Sequence, residues 1–357
     1  MKIGILTSGG DCAGLNAAIG AVTVNAALKG YQVLGLRGGT RGLMGTEPNF
    51  EVLQPAHFTS DVMRSPSTFL GTTNRGNPFA YPMDDGTVVD RSDEIIGNIK
   101  KLGIETLIGI GGDGSLDILN QLTRKGGINL MWMPKTIDND VCETEVAIGF
   151  YSAVATAFRF LNDLHATAQT HDMIMVTEIM GRDAGHLALH SGVAAHVDII
   201  LIPEIEYAFE NLVKKYEQVR ASGRSYMQVL VSEAVKTPDG EAVTVAHNTG
   251  SVRYGGIGQH LKRKLQEALK VEVRVQSPGH TLRGCSPTAG DIILAQQFGV
   301  KVIDLISQKK FGRMAAMQYG SIVDVPVEKV AGRSRPVTAS DAMVHTARGL
   351  NISLGDQ

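Results

Sequence analysis

The chain has 357 residues, 43% of them hydrophobic and 20% charged, with 34 basic against 36 acidic side chains and a formal net charge of −2. That composition excludes disordered, fibrous and disulfide-stapled classes, and the balanced charge gives no field for nucleic acid or an anionic membrane. The longest mostly apolar stretch, Ala17 to Leu28, holds Thr23 and Asn25 and is too short to cross a bilayer. Met1-Lys2 leads directly into strand-like sequence, so no signal peptide is expected. Cys12, Cys142 and Cys285 have no metal spacing, which predicts a reducing, cytoplasmic setting.

Ile3 to Leu6 reads as a buried strand, followed by the turn Thr7-Ser8-Gly9-Gly10-Asp11. Leu15, Ala18, Ile19, Val22 and Ala26 then recur at helical spacing. Gln32 to Leu36 is a second strand, and Ile95, Ile96, Ile99 and Leu102 mark a helix. Thr106 to Ile110 runs into Gly111-Gly112-Asp113-Gly114-Ser115, with a helix after it on Leu116, Leu119 and Leu122. Leu130 to Met133 precedes Pro134-Lys135-Thr136-Ile137-Asp138-Asn139-Asp140. After a long helical stretch from Phe150 to Ala168 the alternation restarts, with strands at Ile174 to Ile179, Ile199 to Ile202 and Met227 to Val231. Helical segments around Leu187 and Val213 separate them. Alternating strands and helices predict an α/β fold of two three-layer lobes with mainly parallel sheets, divided near residue 150.

The glycine turns follow strands and open helices, where free N–H groups and the helix dipole favour phosphate. Each alone is equally well a tight turn, and neither fits a Walker A or a clean G-x-G-x-x-G pattern. Asp113 puts a carboxylate among phosphate-facing amides, which suits a bridging Mg²⁺; an N-cap is the bland alternative. Asp138 and Asp140, at i and i+2 beside Thr136 and Asn139, suit a base and an orienting or metal-linked acid, or simply a capped Asx-turn. Downstream, Met180-Gly181-Arg182-Asp183, Glu233, Arg274 and Gly279-His280-Thr281-Leu282-Arg283-Gly284 lie near strand ends. Three arginines and a histidine so placed suit a phosphorylated, polyhydroxylated substrate.

Taken in order, Thr7 to Asp11, Gly14 to Ala17, Gly111 to Ser115, Pro134 to Asp140, Met180 to Arg182 and Gly279 to Gly284 resemble the phosphofructokinase A family from residue 3 to about 310. The resemblance implies two Rossmann-like lobes with the active site in the cleft between them. It divides the chain into a donor lobe, 1–149 plus about 282–312, and a sugar-phosphate lobe, 150–281 plus about 313–357. It implies ATP as donor, Mg²⁺ as cofactor, fructose 6-phosphate as acceptor, and homodimers or homotetramers whose subunits share the substrate site. Asp138 would be the general base on the C1 hydroxyl, Thr136 would touch the transferring phosphoryl group, and Arg182 would stabilise its charge. Asp113 matches the Mg²⁺-linked aspartate; Gly10, Arg75, Gly112, Gly114, Ser115 and Lys135 match donor-phosphate contacts. Met180, Gly181 and Glu233 would line the sugar site. His280 and Arg283 would hold its 6-phosphate, with Arg274 arriving from a neighbouring subunit.

Departures from the family pattern are informative. Met173 stands where many allosteric bacterial members have a substrate-site arginine, with His171 as a candidate substitute. Gly20 and Val24 replace effector-binding arginines, which predicts that the corresponding ADP or phosphoenolpyruvate response is absent. Gly114 together with Lys135 is a mixed donor signature. Glycine admits nucleotide phosphates where pyrophosphate-dependent members have aspartate, whereas lysine is their usual residue at the second position. ATP is therefore the expected donor and pyrophosphate the alternative. A non-catalytic nucleotide-binding protein and a dinucleotide dehydrogenase fit less well.

Overall fold

The computed structural model describes residues 1–73, 76–246 and 252–357. Its main strands in chain order are β1 Lys2–Thr7, β2 Gln32–Leu36, β3 Phe50–Leu53, β4 Thr106–Gly111, β5 Asn129–Pro134, β6 Ile174–Ile179, β7 Ile199–Leu201, β8 Met227–Ser232, β9 Val273–Gln276, β10 Arg313–Gln318 and β11 Ser321–Pro326. Its principal helices are α1 Leu15–Leu28, α2 Ser92–Lys101, α3 Asp113–Gly126, α4 Phe150–Thr170, α5 His186–Ala194, α6 Phe209–Ala221, α7 Ile257–Leu269, α8 Ala289–Ser307 and α9 Ala342–Gly349. The chain divides into two compact units, one of Met1–Ser152 with Arg283–Arg335 and one of Ala153–Leu282 with Pro336–Gln357.

Among the described residues, the first unit is built on a seven-stranded sheet in the order β11-β10-β5-β4-β1-β2-β3. The pairs from β10 through β2 are parallel, and the outer strands β3 and β11 run antiparallel. Strands covered on both faces read as continuous apolar runs. Five of six residues in Lys2–Thr7 are buried, and all six in Thr106–Gly111. Leu116, Leu119 and Leu122 on α3 and Ile95, Ile96 and Ile99 on α2 join Trp132, Leu107 and Leu6 in one core. Because the order reverses between β1 and β4, the turns after β4, β1 and β5 emerge side by side at their carboxyl ends, where open α/β sheets bind ligands.

The second unit carries a four-stranded parallel sheet, β9-β6-β8-β7. Its core joins Ile174, Val176, Val229 and Val231 of the strands to Leu212 on α6 and Leu261 and Leu265 on α7. Here β6 is central, so the turns after β6, β8 and β9 are also neighbours.

One boundary differs from the sequence expectation. Residues 313–335 belong to the first unit, because β10 pairs in parallel with β5 and β11 folds back on β10. The strand reads Arg-Met-Ala-Ala-Met-Gln, without the β-branched run that marks a buried strand, so periodicity alone does not reveal it.

Candidate active site

Three turns of the first unit meet around the glycines. Ser8 N–H donates to Ile110 O at 2.9 Å, and Ser8 Oγ donates to Ser115 Oγ at 3.0 Å, tying the turn after β1 to the start of α3. Gly9 N–H donates to Thr73 O at 2.8 Å, and Thr72 Oγ1 donates to Gly9 O at 2.7 Å. Lys135, only 4% exposed, reaches under this turn and donates from Nζ to Gly10 O at 2.5 Å. Burial pushes its pKa below the usual lysine range, and the nearby Arg283 guanidinium pushes the same way. Arg283 itself lies over the turn: a Cβ on Gly10 would stand 2.5 Å from its Nη1. Two cations thus border Gly9-Gly10. Arg75 lies outside the described residues.

Helix α3 begins with Gly112 at its N-cap. Leu116 N–H is bonded to Gly112 O, so the amides of Asp113, Gly114 and Ser115 precede the first intrahelical bond and remain for a ligand. Asp113 is partly buried and Gly114 exposed, and nothing lies within 4 Å of a Cβ placed on Gly114. That end of the helix is open, positive and unobstructed.

The acidic loop follows β5. Lys135 and Ile148 form an isolated parallel bridge, and Thr136 N–H donates to Ile148 O at 3.2 Å, so the loop leaves the sheet on a fixed base. Asp138 N–H donates to Thr136 Oγ1 at 3.0 Å, closing a side-chain turn. Asn139 sits at φ 55°, accepts from Ala147 N–H at 3.0 Å and donates to Glu145 O at 3.1 Å. Asp138 is 7% exposed. The Asp140 carboxyl is pushed up to about 6, chiefly by burial and then by the charges of Asp138 and Asp113. A carboxylate cluster of this kind favours a cation or a shared proton.

In the second unit, β6 runs into Met180-Gly181-Arg182. Gly181 has φ 157°, and a Cβ there would stand 2.8 Å from Ala184 O, so glycine is required. Arg182, exposed at φ 49°, donates its N–H to Glu233 Oε1 at 3.3 Å, which joins the ends of β6 and β8. Met180 is half-buried beside them. His280 is exposed in the turn Gly279–Leu282 after β9, and Arg274 is exposed on β9 with its guanidinium paired to Glu272 at 2.5 Å. Met173 is 6% exposed and packs with Ala168 and Met175, so it fills core, while His171 is exposed.

The phosphofructokinase family model matches residues 2–306. The chain belongs to the phosphofructokinase family. It is 46% identical over 355 residues to an ATP-dependent 6-phosphofructokinase 1 of Nostoc sp., covering 99% of each chain. It is also 46% identical to the ATP-dependent 6-phosphofructokinase 1 of Synechocystis sp., covering 99% of this chain and 98% of that protein. The crystal structure of Pichia pastoris phosphofructokinase in the T-state matches with a TM-score of 0.78 at 25% identity, over 98% of this chain and 39% of that longer one. A pyrophosphate-dependent phosphofructokinase from Marinobacter aquaeolei matches with a TM-score of 0.79 at 19% identity over 99% of this chain and 92% of that one, a likeness of fold.

Arg283, which the resemblance assigns to the sugar 6-phosphate, lies against Gly10. Asp140, read from its i+2 spacing to Asp138 as an orienting or metal-linked acid, has its carboxyl raised by burial and by the charges of Asp138 and Asp113. No helix among the described residues is long and apolar enough to cross a membrane.

Proposed function

We propose that this chain is an ATP-dependent 6-phosphofructokinase, transferring a phosphoryl group from ATP to the C1 hydroxyl of fructose 6-phosphate and yielding fructose 1,6-bisphosphate and ADP. The kinship of 46% over the full chain to two ATP-dependent 6-phosphofructokinases is the observation that carries this reading. The acidic loop supports it: a nearly buried carboxylate held by its own backbone beside Thr136 is what a positioned base needs.

Asp138 takes the proton of the C1 hydroxyl as its oxygen attacks the γ-phosphorus, and the bond to the leaving ADP oxygen breaks in line. Thr136 Oγ1 orients the loop and meets the transferring oxygens; Arg182 neutralises charge gathering there. Positioning and charge neutralisation account for most of such catalysis, with no covalent enzyme intermediate. The amides around Gly112, Gly114 and Ser115 receive the nucleotide phosphates at the open start of α3. Gly10 lets the chain approach them, and Arg75, Lys135 and Arg283 supply compensating positive charge. Met180, Gly181 and Glu233 line the sugar, His280 and Arg283 meet its 6-phosphate, and Arg274 reaches the site of a neighbouring subunit in a homodimer or homotetramer. The setting is the cytoplasm, in keeping with Cys12, Cys142 and Cys285 standing outside any disulfide.

Among the described residues, no three His, Cys, Asp or Glu side chains are grouped closely enough to hold a metal alone. Magnesium uses one or two carboxylates completed by phosphate oxygens and water, and Asp113 with Asp140 fits that demand. When bound, Mg²⁺ offsets the negative charge of the donor phosphates.

A donor-swap assay tests this. Purified protein with fructose 6-phosphate and Mg²⁺ is given ATP or pyrophosphate, and fructose 1,6-bisphosphate is followed. Turnover with ATP is expected; turnover with pyrophosphate and none with ATP refutes the donor assignment.

A further inference from the structure

The loop that carries Asp138 is held by a residue 196 positions downstream of Asn139. Arg335 Nη2 donates to Asn139 O at 2.8 Å and to Glu145 O at 3.2 Å, while its backbone N–H donates to Asp140 O at 2.7 Å. The segment before it runs along the same loop. Ser334 forms an isolated antiparallel bridge with Val141, and Cys142 Sγ donates to Lys329 O and Arg333 O, each at 3.6 Å. The carbonyls of both residues that follow Asp138 are therefore bonded by Arg335. The first belongs to Asn139, in the left-handed conformation that asparagine adopts more readily than other residues with a Cβ.

We propose that Arg335 is a positioning residue for phosphoryl transfer, acting through the Asn139 and Asp140 peptide units to hold the Asp138 and Asp140 carboxylates in their reactive placement. This rests on the reading of Asp138 as general base. The guanidinium has a task separable from folding. The bridge at Ser334, the Cys142 contacts and the backbone bond to Asp140 all survive its removal. What is lost is the guanidinium's share of the tie between the two limbs of the loop, its bonds to the Asn139 and Glu145 carbonyls, while the Asn139 side chain keeps its own bonds to Ala147 N–H and Glu145 O. Reacting groups misplaced by about 1 Å lose on the order of 100-fold in rate, so a change outside the site is felt at the chemical step.

The experiment compares Arg335→Ala, Arg335→Lys and Asp138→Ala in the full chain, measuring kcat, both KM values and thermal unfolding, with and without millimolar guanidinium chloride. Arg335→Ala is expected to lose about 10- to 100-fold in kcat, with both KM values within about threefold and the melting temperature within a few degrees. Guanidinium should restore part of that kcat, and do nothing for Asp138→Ala. Lysine, which can reach one carbonyl, should recover part of the loss. Wild-type kcat in Arg335→Ala beside an inactive Asp138→Ala overturns this proposal alone. So does a loss that follows the melting temperature and that neither lysine nor guanidinium restores. Wild-type kcat in Asp138→Ala overturns the general-base reading and this proposal with it.

Discussion

Asp140 is surrounded by reasons to keep its proton: burial, Asp138 and Asp113 all raise it, from an ordinary 3.8 to about 6. A carboxyl whose folded pKa lies above its unfolded value binds more protons in the folded state. Stability then falls as pH rises from about 4 to about 6, and the penalty is complete above that window. Asp140→Asn removes the charge while keeping the shape. In metal-free protein it should add up to about 3 kcal/mol at pH 8, shrinking to about 1 kcal/mol at pH 4.5. Urea unfolding at the two pH values measures this, and an equal gain at both would show that charge is not the cause. Activity should fall in the same variant, because we propose that the same negative charge helps to hold Mg²⁺. Asp138, Thr136 and Asp113 were legible in sequence because their logic is local, contained in a few consecutive residues. Arg335 was not, since its guanidinium acts on a loop reached only through the pairing of distant segments.

At the scale of elements, the strands that the sequence revealed include those that end in the turns of the candidate site. Lys2–Thr7, Thr106–Gly111 and Asn129–Pro134 are buried on both faces, and that burial writes an unbroken apolar run. The two outer strands of the seven-stranded sheet leave no such trace: Phe50–Leu53 has one buried residue of four, and Ser321–Pro326 is mostly half-buried. The helix Asp113–Gly126, whose start we propose meets the donor phosphates, allows a clean test of donor choice. Gly114 has open space around it, so Gly114→Asp introduces no clash within the protein, and a carboxylate in the first turn suits the helix dipole. Folding stability should hold or rise slightly. Against an ATP phosphate the same carboxylate is repelled by ~4 kcal/mol at ~4 Å and an effective dielectric of ~20, before counterions reduce it. ATP-dependent kcat/KM should therefore drop by at least about tenfold, taking ~1.4 kcal/mol per decade. Unchanged kcat/KM would mean that nucleotide phosphates do not approach this turn. The helix Leu15–Leu28 shows the opposite situation. A Cβ on Gly20 would run into Met63 Sδ, with Phe58 beside it, so that face of the helix is filled by apolar side chains where an effector arginine would otherwise stand.

For the whole molecule, the open matter is whether one chain completes a site. Arg274 lies on β9, at the edge of the four-stranded sheet, with its side chain largely exposed. Its partner is Glu272, two residues back and just before the strand begins. Exposed pairs of this kind are worth about 0–1 kcal/mol, so a sugar phosphate could draw the guanidinium away at little cost. A charge-assisted contact to phosphate is worth roughly 1.5–3 kcal/mol, and Arg274→Ala should raise KM for fructose 6-phosphate by one to two decades. The decisive version uses two lesions. In an oligomer with shared sites, an Arg274→Ala chain keeps its own Asp138 and receives Arg274 from an Asp138→Ala neighbour. Mixing the two inactive or weakened proteins and allowing exchange then creates sites with both groups intact. If each chain uses its own Arg274, every site in the mixture retains one lesion, whatever the exchange. Activity at subsaturating fructose 6-phosphate should rise above the sum of the separate proteins as mixed oligomers form, with exchange followed independently by differently labelled chains. Demonstrated exchange with no gain would place Arg274 with its own chain and remove the reason for a shared site.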